Sequence, residues 1–380
     1  MNRIYLDHAA TTPVHPIVAE KITSVMCATF GNPSSIHSFG RAARHVLDEA
    51  RSIIADSIHA QYAEITFTSG GTEADNLAII GSAHANKQKG KHIITTKIEH
   101  HAVLHACKYL EQEGFDVTYL APDESGVISA DAVKKALRED TILVSVMYGN
   151  NEVGTLQPIK EIGELLGSHQ TLFHTDAVQA YGSLQIDVKE LGVDLLSASA
   201  HKINGPKGIG FLYIKTGSKI TPSAFGGEQE LKRRAGTENL ASIAGFAEAV
   251  QLMLKTRDEK NQKYLQYKDQ LIQVLTNEKI DYLVNGTQEN SLAHVLNLSF
   301  PGTDVEALLV NLDMAGIAVS SGSACTAGSI EPSHVLVAMF GPNSERVRNS
   351  VRFSFGLGNM EEEIAEAAKE TAKIVHRLRR

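Results

Sequence analysis

The chain has no tryptophan, only three cysteines and no excess of basic residues among its 380 positions. Cys27, Cys107 and Cys325 are odd in number and far apart, and none belongs to a Cys-x-x-Cys pair. That argues against a disulfide framework and a thiolate zinc site and predicts a reduced, cytoplasmic protein. The formal net charge is −8 and the longest basic run is Lys232-Arg233-Arg234. Direct nucleic-acid binding needs clustered Lys and Arg and is not expected. No apolar stretch approaches the ~20 residues that span a bilayer, so no membrane association is expected. The segment Met1–Asp7 lacks the apolar core of a signal peptide. Internal repeats and low-complexity tracts are also absent.

What remains is the composition of an ordinary globular chain, long enough to predict two domains. Short β-rich runs alternate with helical stretches over the first two-thirds. Strands are expected at Glu64–Thr68, His92–Thr96, Asp116–Leu120, Ile142–Val146, Leu172–Thr175, Asp194–Ala198 and Ile209–Ile214. Helices are expected between them at Glu73–Asn86, Ala102–Glu113, Ala130–Leu137 and Ile159–Leu166. Strands spaced by helices of this length predict an α/β fold with a mainly parallel sheet covered on both faces. A helical region from Asn239 to Asn277 is long enough to lead into a second, α+β unit. There, strands are expected at Val295–Ser299, Ile317–Ser320 and Val351–Phe355, and helices at Asp304–Met314 and Glu361–Leu378. The last helix opens on three glutamates and closes on arginines, which complements its dipole.

Four segments carry candidate chemistry. In Ser197–Gly208 a strand ends in a turn of small residues, and Lys202 stands among hydroxyls, His201 and glycines. A lysine so placed suits an amine that forms a Schiff base with a carbonyl cofactor, against the plainer reading of a solvated charge. Phe67–Ala74 reads as strand, glycine turn and helix start, and the free N–H groups of such a start make an anion cradle with the Thr72 hydroxyl. It is neither a Walker A loop nor Gly-x-Gly-x-x-Gly, so nucleotide binding is disfavoured. Asp176 closes the apolar strand of Leu172–Gln179, where ligands of open α/β sheets gather; the alternative is a helix-capping aspartate. Finally, Val319–Ser329 is a run of small residues around one thiol, Cys325. Such a loop favours an exposed and mobile thiol, whereas Cys27 and Cys107 are expected to be buried and inert. A thiol of pKa ~8.5 needs partial ionisation before it can act as a nucleophile. Arg348 and Arg352, near the last strand, suit a carboxylate grip or a surface ion pair. The histidines 100, 101 and 105 lack the further ligands a metal site needs, and an aromatic ring stacked on a planar cofactor accounts for His100 better.

These segments together resemble the cysteine desulfurases of the NifS/IscS group, within the class V aminotransferase family of fold-type I pyridoxal-phosphate (PLP) enzymes. The resemblance runs nearly end to end. It is carried by Tyr5–Pro13, Gly31–His37, Thr68–Asn76, Lys97–Val103, Gly149–Gly154, His174–Gln179, Ser197–Gly210, Arg233–Asn239 and Ser320–Leu336. It implies a large domain over residues 14–255, with a seven-stranded, mainly parallel sheet between helices. A smaller α+β domain would comprise residues 1–13 and 256–380 and carry the catalytic cysteine loop.

The roles implied by the resemblance are these. Lys202 would hold PLP covalently, while Gly71, Thr72, Ser199 and His201 would bind its phosphate. Thr237 would reach the phosphate site of the other subunit, which makes the active species a homodimer. His100 would stack on the ring, Asp176 would pair with the pyridine nitrogen, and Gln179 would contact the phenolic oxygen. Asn151 and Arg352 would orient L-cysteine, whose α-proton is removed by Lys202 or His100. Cys325 would take the sulfur as a persulfide, leaving alanine. The loop form Ser323–Leu336 resembles the NifS/IscS subgroup and implies delivery to a U-type iron–sulfur scaffold or a tRNA thiolation enzyme. No resident metal is expected, though in some relatives the cysteine is proposed to share a nascent 2Fe–2S cluster. A selenocysteine lyase, an aminotransferase or a non-catalytic scaffold on the same fold are the alternatives, and the presence of Lys202, Asp176 and Cys325 together disfavours the last two.

Overall fold

The structure, a computed structural model, describes residues 3–321 and 332–379. The chain begins with β1 (Ile4–Tyr5), α1 (Pro16–Ala28) and α2 (Ser38–Ser57). Strands and helices then alternate: β2 (Ile65–Thr68), α3 (Gly71–Asn86), β3 (His92–Thr96), α4 (His101–Gln112), β4 (Asp116–Leu120) and α5 (Ala130–Ala136). They continue with β5 (Thr141–Ser145), α6 (Ile159–Leu166), β6 (Leu172–Asp176), β7 (Leu195–Ser199) and β8 (Gly210–Ile214). After the long α7 (Leu240–Asn277) come β9 (Leu283–Asn285), β10 (Val295–Ser299), α8 (Val305–Met314) and β11 (Ile317–Ala318). The last elements are α9 (His334–Phe340), β12 (Ser350–Ser354) and α10 (Glu361–Leu378).

The expected seven-stranded sheet forms, in the order β2-β8-β7-β6-β5-β3-β4. All pairings from β7 to β4 are parallel, while β8 runs antiparallel to both β7 and β2. Its strands are apolar on both faces, as a sheet covered twice requires. Ile94, Val144, Leu196 and Phe211 feed one core, with residues of α1, α2, α6 and α7. Their chain neighbours Ile93, Leu143, Leu195 and Leu212 feed another, under α3 and α4. The period of two in a strand thus splits each apolar run between two helical layers.

A separate core gathers β10, β12, α8 and α10 together with Ile4 and Leu6 from the N-terminus. Helix α7 joins the two regions. Ile243, Phe246 and Val250 in its first half enter the sheet's core, and Tyr267, Leu271 and Leu275 in its second half enter the other. The expected helical region starts one residue early, because Asn239 is the cap: its side chain accepts from Ser242 N. Asp304 is likewise a cap rather than the first residue of α8, accepting from Glu306 N and Ala307 N.

Two departures from expectation have a plain physical cause. Helix α3 begins at Gly71 rather than Glu73, because Gly70 adopts φ +148° and turns the chain straight out of β2. Cys27, expected to be buried, is exposed on α1, while Cys107 is buried under the sheet. No helix among the described residues is long and apolar enough to cross a membrane.

Candidate active site

The parallel strands all end on one side of the sheet, and the residues following them close around a cavity of about 370 Å³. Lys202, His201 and Ser199 reach it from the end of β7, and Asp176 and Gln179 from the end of β6. His100 comes from the start of α4, Asn151 from the loop after β5, and Gly71 and Thr72 from the start of α3. Arg352 arrives from β12, on the other core. Ten of the twelve residues to which the resemblance assigns a role therefore meet in one place. Of the other two, Thr237 is exposed and lines a separate recess of about 240 Å³ beside Ser69 and Arg234. Cys325 lies outside the described residues. Arg348 is exposed and takes no part in the cavity.

The Lys202 amine donates to Ala9 O at 2.6 Å and Ala10 O at 2.7 Å. Burial and the neighbouring Arg352 bring it down to about 8, against the pull of Asp176 and Asp7. Asp176 accepts from Val178 N at 2.8 Å through Oδ1. Burial raises its carboxyl, and His100 and Lys202 draw it back. Asp75 stands behind it, fully enclosed, and is pushed much further up by burial and by Asp176. Of these two carboxyls Asp75 is the more strongly driven toward its protonated form. His100 accepts from Ala102 N at 3.1 Å through Nδ1, capping α4 with its side chain. Its proton then sits on Nε2, and desolvation holds the ring below its ordinary value.

At the start of α3 no side chain caps the helix, so the first backbone N–H groups face the cavity unclaimed. A Cβ on Gly71 would stand 2.7 Å from Val178 Cγ2, so only glycine leaves this cradle open. Ser199 lies beside it, and His201 Nδ1 is 3.1 Å from Thr11 Oγ1. Across the cavity the Arg352 guanidinium donates to Asn151 O at 2.9 Å and to Asp7 Oδ1 at 2.7 Å. Its Nε has no protein partner although the residue is 2% exposed. Such a group is a ready carboxylate site.

Residues 4–366 match the family described as aminotransferase class-V. The chain belongs to that family. It is 62% identical to the IscS 1 protein of Bacillus subtilis (strain 168), over the whole of both chains. It is 49% identical to the cysteine desulfurase IscS of Methanosarcina thermophila, covering 99% of this chain and 93% of that one. Among solved structures, a NifS-like protein superposes with a TM-score of 0.92 at 35% identity, covering 99% of this chain and 100% of the other. Members of the class V family are PLP-dependent enzymes.

A PLP-sized planar anion fits the observations above. The uncapped helix start would receive its phosphate, the Asp176 carboxyl would meet its pyridine nitrogen, and a half-buried amine of lowered basicity lines the same cavity. The sequence pattern assigns no role to Asp75, Glu152 or His334, which line this cavity, or to Asp7, which pairs with Arg352. Asp7 sits inside the quoted Tyr5–Pro13 motif, but only its contact with Arg352 reveals its use. Ser333 donates to Glu152 Oε2, and His334 Nε2 lies 2.9 Å from Glu99 O. The rings of His101 and His105 are 5.1 Å apart, with His334 4.7 Å from His101. Among the described residues no group of three His, Cys, Asp or Glu is placed to hold a metal ion.

Proposed function

We propose that the protein is a PLP-dependent cysteine desulfurase that converts L-cysteine to L-alanine and passes the sulfur, as a persulfide on Cys325, to an acceptor protein. The observation that carries this reading is one cavity holding the Lys202 amine, the Asp176 carboxylate and the Arg352 guanidinium. When bound, PLP supplies a carbonyl for amine capture and a ring that absorbs the charge left by a lost α-proton.

In this reading Lys202 carries the cofactor. The N–H groups of Gly71 and Thr72, with Ser199 and His201, hold its phosphate. Asp176 would pair with the ring nitrogen, His100 would stack on the ring, and Gln179 would contact the phenolic oxygen. Arg352 and Asn151 grip the substrate carboxylate, and the unpartnered Nε of Arg352 supports that role. Proton transfer at the α-carbon belongs to Lys202 Nζ. The His100 lone pair at Nδ1 is occupied by Ala102 N–H, and its Nε2 carries a proton. The Cys325 thiolate takes the substrate sulfur, so the C–S bond breaks as the S–S bond forms and alanine leaves.

Thr237 lines a recess apart from the cavity of its own chain. That supports a homodimer in which its hydroxyl completes the partner's phosphate site. The acceptor of the sulfur is a U-type iron–sulfur scaffold or a tRNA thiolation enzyme, in the cytoplasm.

Incubating the purified holoenzyme with L-cysteine and a thiol reductant should release alanine and sulfide in equal amounts. Lys202→Ala should lose both products and the visible absorption of the bound cofactor. Turnover of Lys202→Ala at the wild-type rate would sink the assignment.

A further inference from the structure

The side chain of Gln179 is held at both ends of its carboxamide. Nε2 donates to Ala9 O at 2.9 Å. A backbone carbonyl only accepts, so the opposite end, Oε1, is the one that faces His294 Nε2 at 3.2 Å. Because Oε1 also only accepts, His294 carries its proton on Nε2. Nδ1 is then an acceptor, and the Ser183 hydroxyl 3.1 Å away donates to it. The series Ser183, His294, Gln179, Ala9 therefore has a determined direction. Its last member, the Ala9 carbonyl, also receives the Lys202 amine at 2.6 Å.

The members of this series come from distant parts of the chain. Gln179 and Ser183 follow β6, whereas His294 immediately precedes β10, and its carbonyl accepts from Phe355 N at 2.9 Å. Burial pushes the His294 imidazole down to about 3, and its neighbours Lys268, His8, Lys202 and Arg352 all oppose a second proton. Both effects favour the neutral ring, whose tautomer is set by Gln179 Oε1.

We propose that His294 is a positioning residue that, with the Ala9 carbonyl, fixes the polarity of the Gln179 carboxamide, so that an N–H and not a carbonyl oxygen would face the phenolic oxygen of the cofactor. This rests on the reading of Gln179 given above. One N–H of the carboxamide is used by Ala9 O, and the second is left for the cavity that Gln179 lines. A reversed carboxamide would set Oε1 against the Ala9 carbonyl and Nε2 against the His294 N–H. Both contacts would then pair like with like at a residue only 7% exposed.

The measurement is the pH midpoint of the holoenzyme's visible absorption band, taken without substrate. A donor on the phenolic oxygen draws negative charge from it and makes the protonated, long-wavelength form easier to deprotonate. Losing the donor raises the midpoint. His294→Leu should raise it by roughly half a pH unit or more, Gln179→Leu by at least as much, and His294→Gln, which restores an N–H donor, should bring it back toward wild type. A shift in Gln179→Leu with none in His294→Leu overturns the inference and leaves the reading of Gln179 intact. No shift in either overturns both. If His294→Leu does not fold, His294→Phe decides the matter: it keeps a ring but offers no N–H to Gln179 Oε1, and an unchanged midpoint in that variant overturns the inference.

Discussion

Arg352 and Asp7 are 345 positions apart in the chain, and their side chains form an ion pair of 2.7 Å beside the cavity that Arg352 lines. The pair sits where β12 meets the N-terminal segment, and the backbone of Arg352 is tied to Ser320 by two further bonds, of 2.7 and 3.3 Å. In the role proposed for it, the guanidinium would thus be aimed before substrate arrives, and the cost of orienting it on binding would be avoided.

This aim is testable by kinetics. Arg352→Ala should lower kcat/KM for L-cysteine about ten- to a hundredfold, the loss of one or two charge-assisted hydrogen bonds of about 1.5–3 kcal/mol. Arg352→Lys keeps the charge without the fork and should recover only part of the loss. Asp7→Asn should mainly raise KM, because the arginine remains but is less firmly held. An unchanged KM in Arg352→Ala would remove this residue from substrate binding.

The lowered basicity of Lys202 sets the pH at which apoprotein takes up PLP. Only the neutral amine attacks a carbonyl, and the lysine loses its proton near 8 rather than at its ordinary 10.5. The rate of colour development on mixing apoprotein with PLP should rise about tenfold per pH unit below that point and level off above it. Stopped-flow absorbance gives the profile directly. A rate still climbing through pH 10 would mean that the amine is not desolvated as described.

The three thiols should behave differently. Cys325→Ser should bind PLP normally yet form no protein persulfide and release little alanine. Cys27→Ser should keep nearly full sulfur transfer even though this thiol is exposed, because α1 lies away from the cavity lining. The Cys107 thiol is raised by burial and by Glu99 and Glu111, so it stays protonated and its serine variant should also keep activity. Mass spectrometry after brief exposure to L-cysteine locates the added sulfur. Finding it on Cys27 with Cys325 unmodified would refute the proposed transfer.

A stability prediction concerns Arg51 and Glu230, which form a bidentate pair, both bonds 2.7 Å, with side chains 6% and 2% exposed. Glu230 also accepts from Phe67 N at 2.9 Å and opens a run of three left-handed residues, Glu230, Leu231 and Lys232, at φ 49°, 56° and 66°. Arg51→Leu leaves that carboxylate buried and unpaired and should cost about 3–5 kcal/mol, read from the midpoint of urea denaturation. A change below about 1 kcal/mol would show that solvent reaches Glu230 and screens it.

The strands and helices of the sheet were legible because each apolar run has a length and flanking turns that suit one element. Lys202, Asp176 and Gly71 were legible because each closes a strand or opens a helix, where α/β sheets place their ligands. Asp7, Glu152 and His294 were not. None differs locally from an ordinary surface aspartate, loop glutamate or core histidine, and each acquires its use from a partner far along the chain. The exposure of Cys27 was missed for the related reason that α1 turns that position outward, which the residue type does not reveal.

By itself, then, the sequence determined the order of the elements, the lysine, carboxylate and glycine turn that define the chemistry, and the small-residue setting of Cys325. These depend on spacing and residue type within a few positions of one another. Only the tertiary structure decided that Asp7 holds Arg352, that the lone pair of His100 is already spent on Ala102, and that Asp75 is buried behind Asp176. Those facts arise where β12 and the N-terminal segment close over the ends of the sheet. There burial, by removing water, turns distant polar groups into partners that local pattern does not contain.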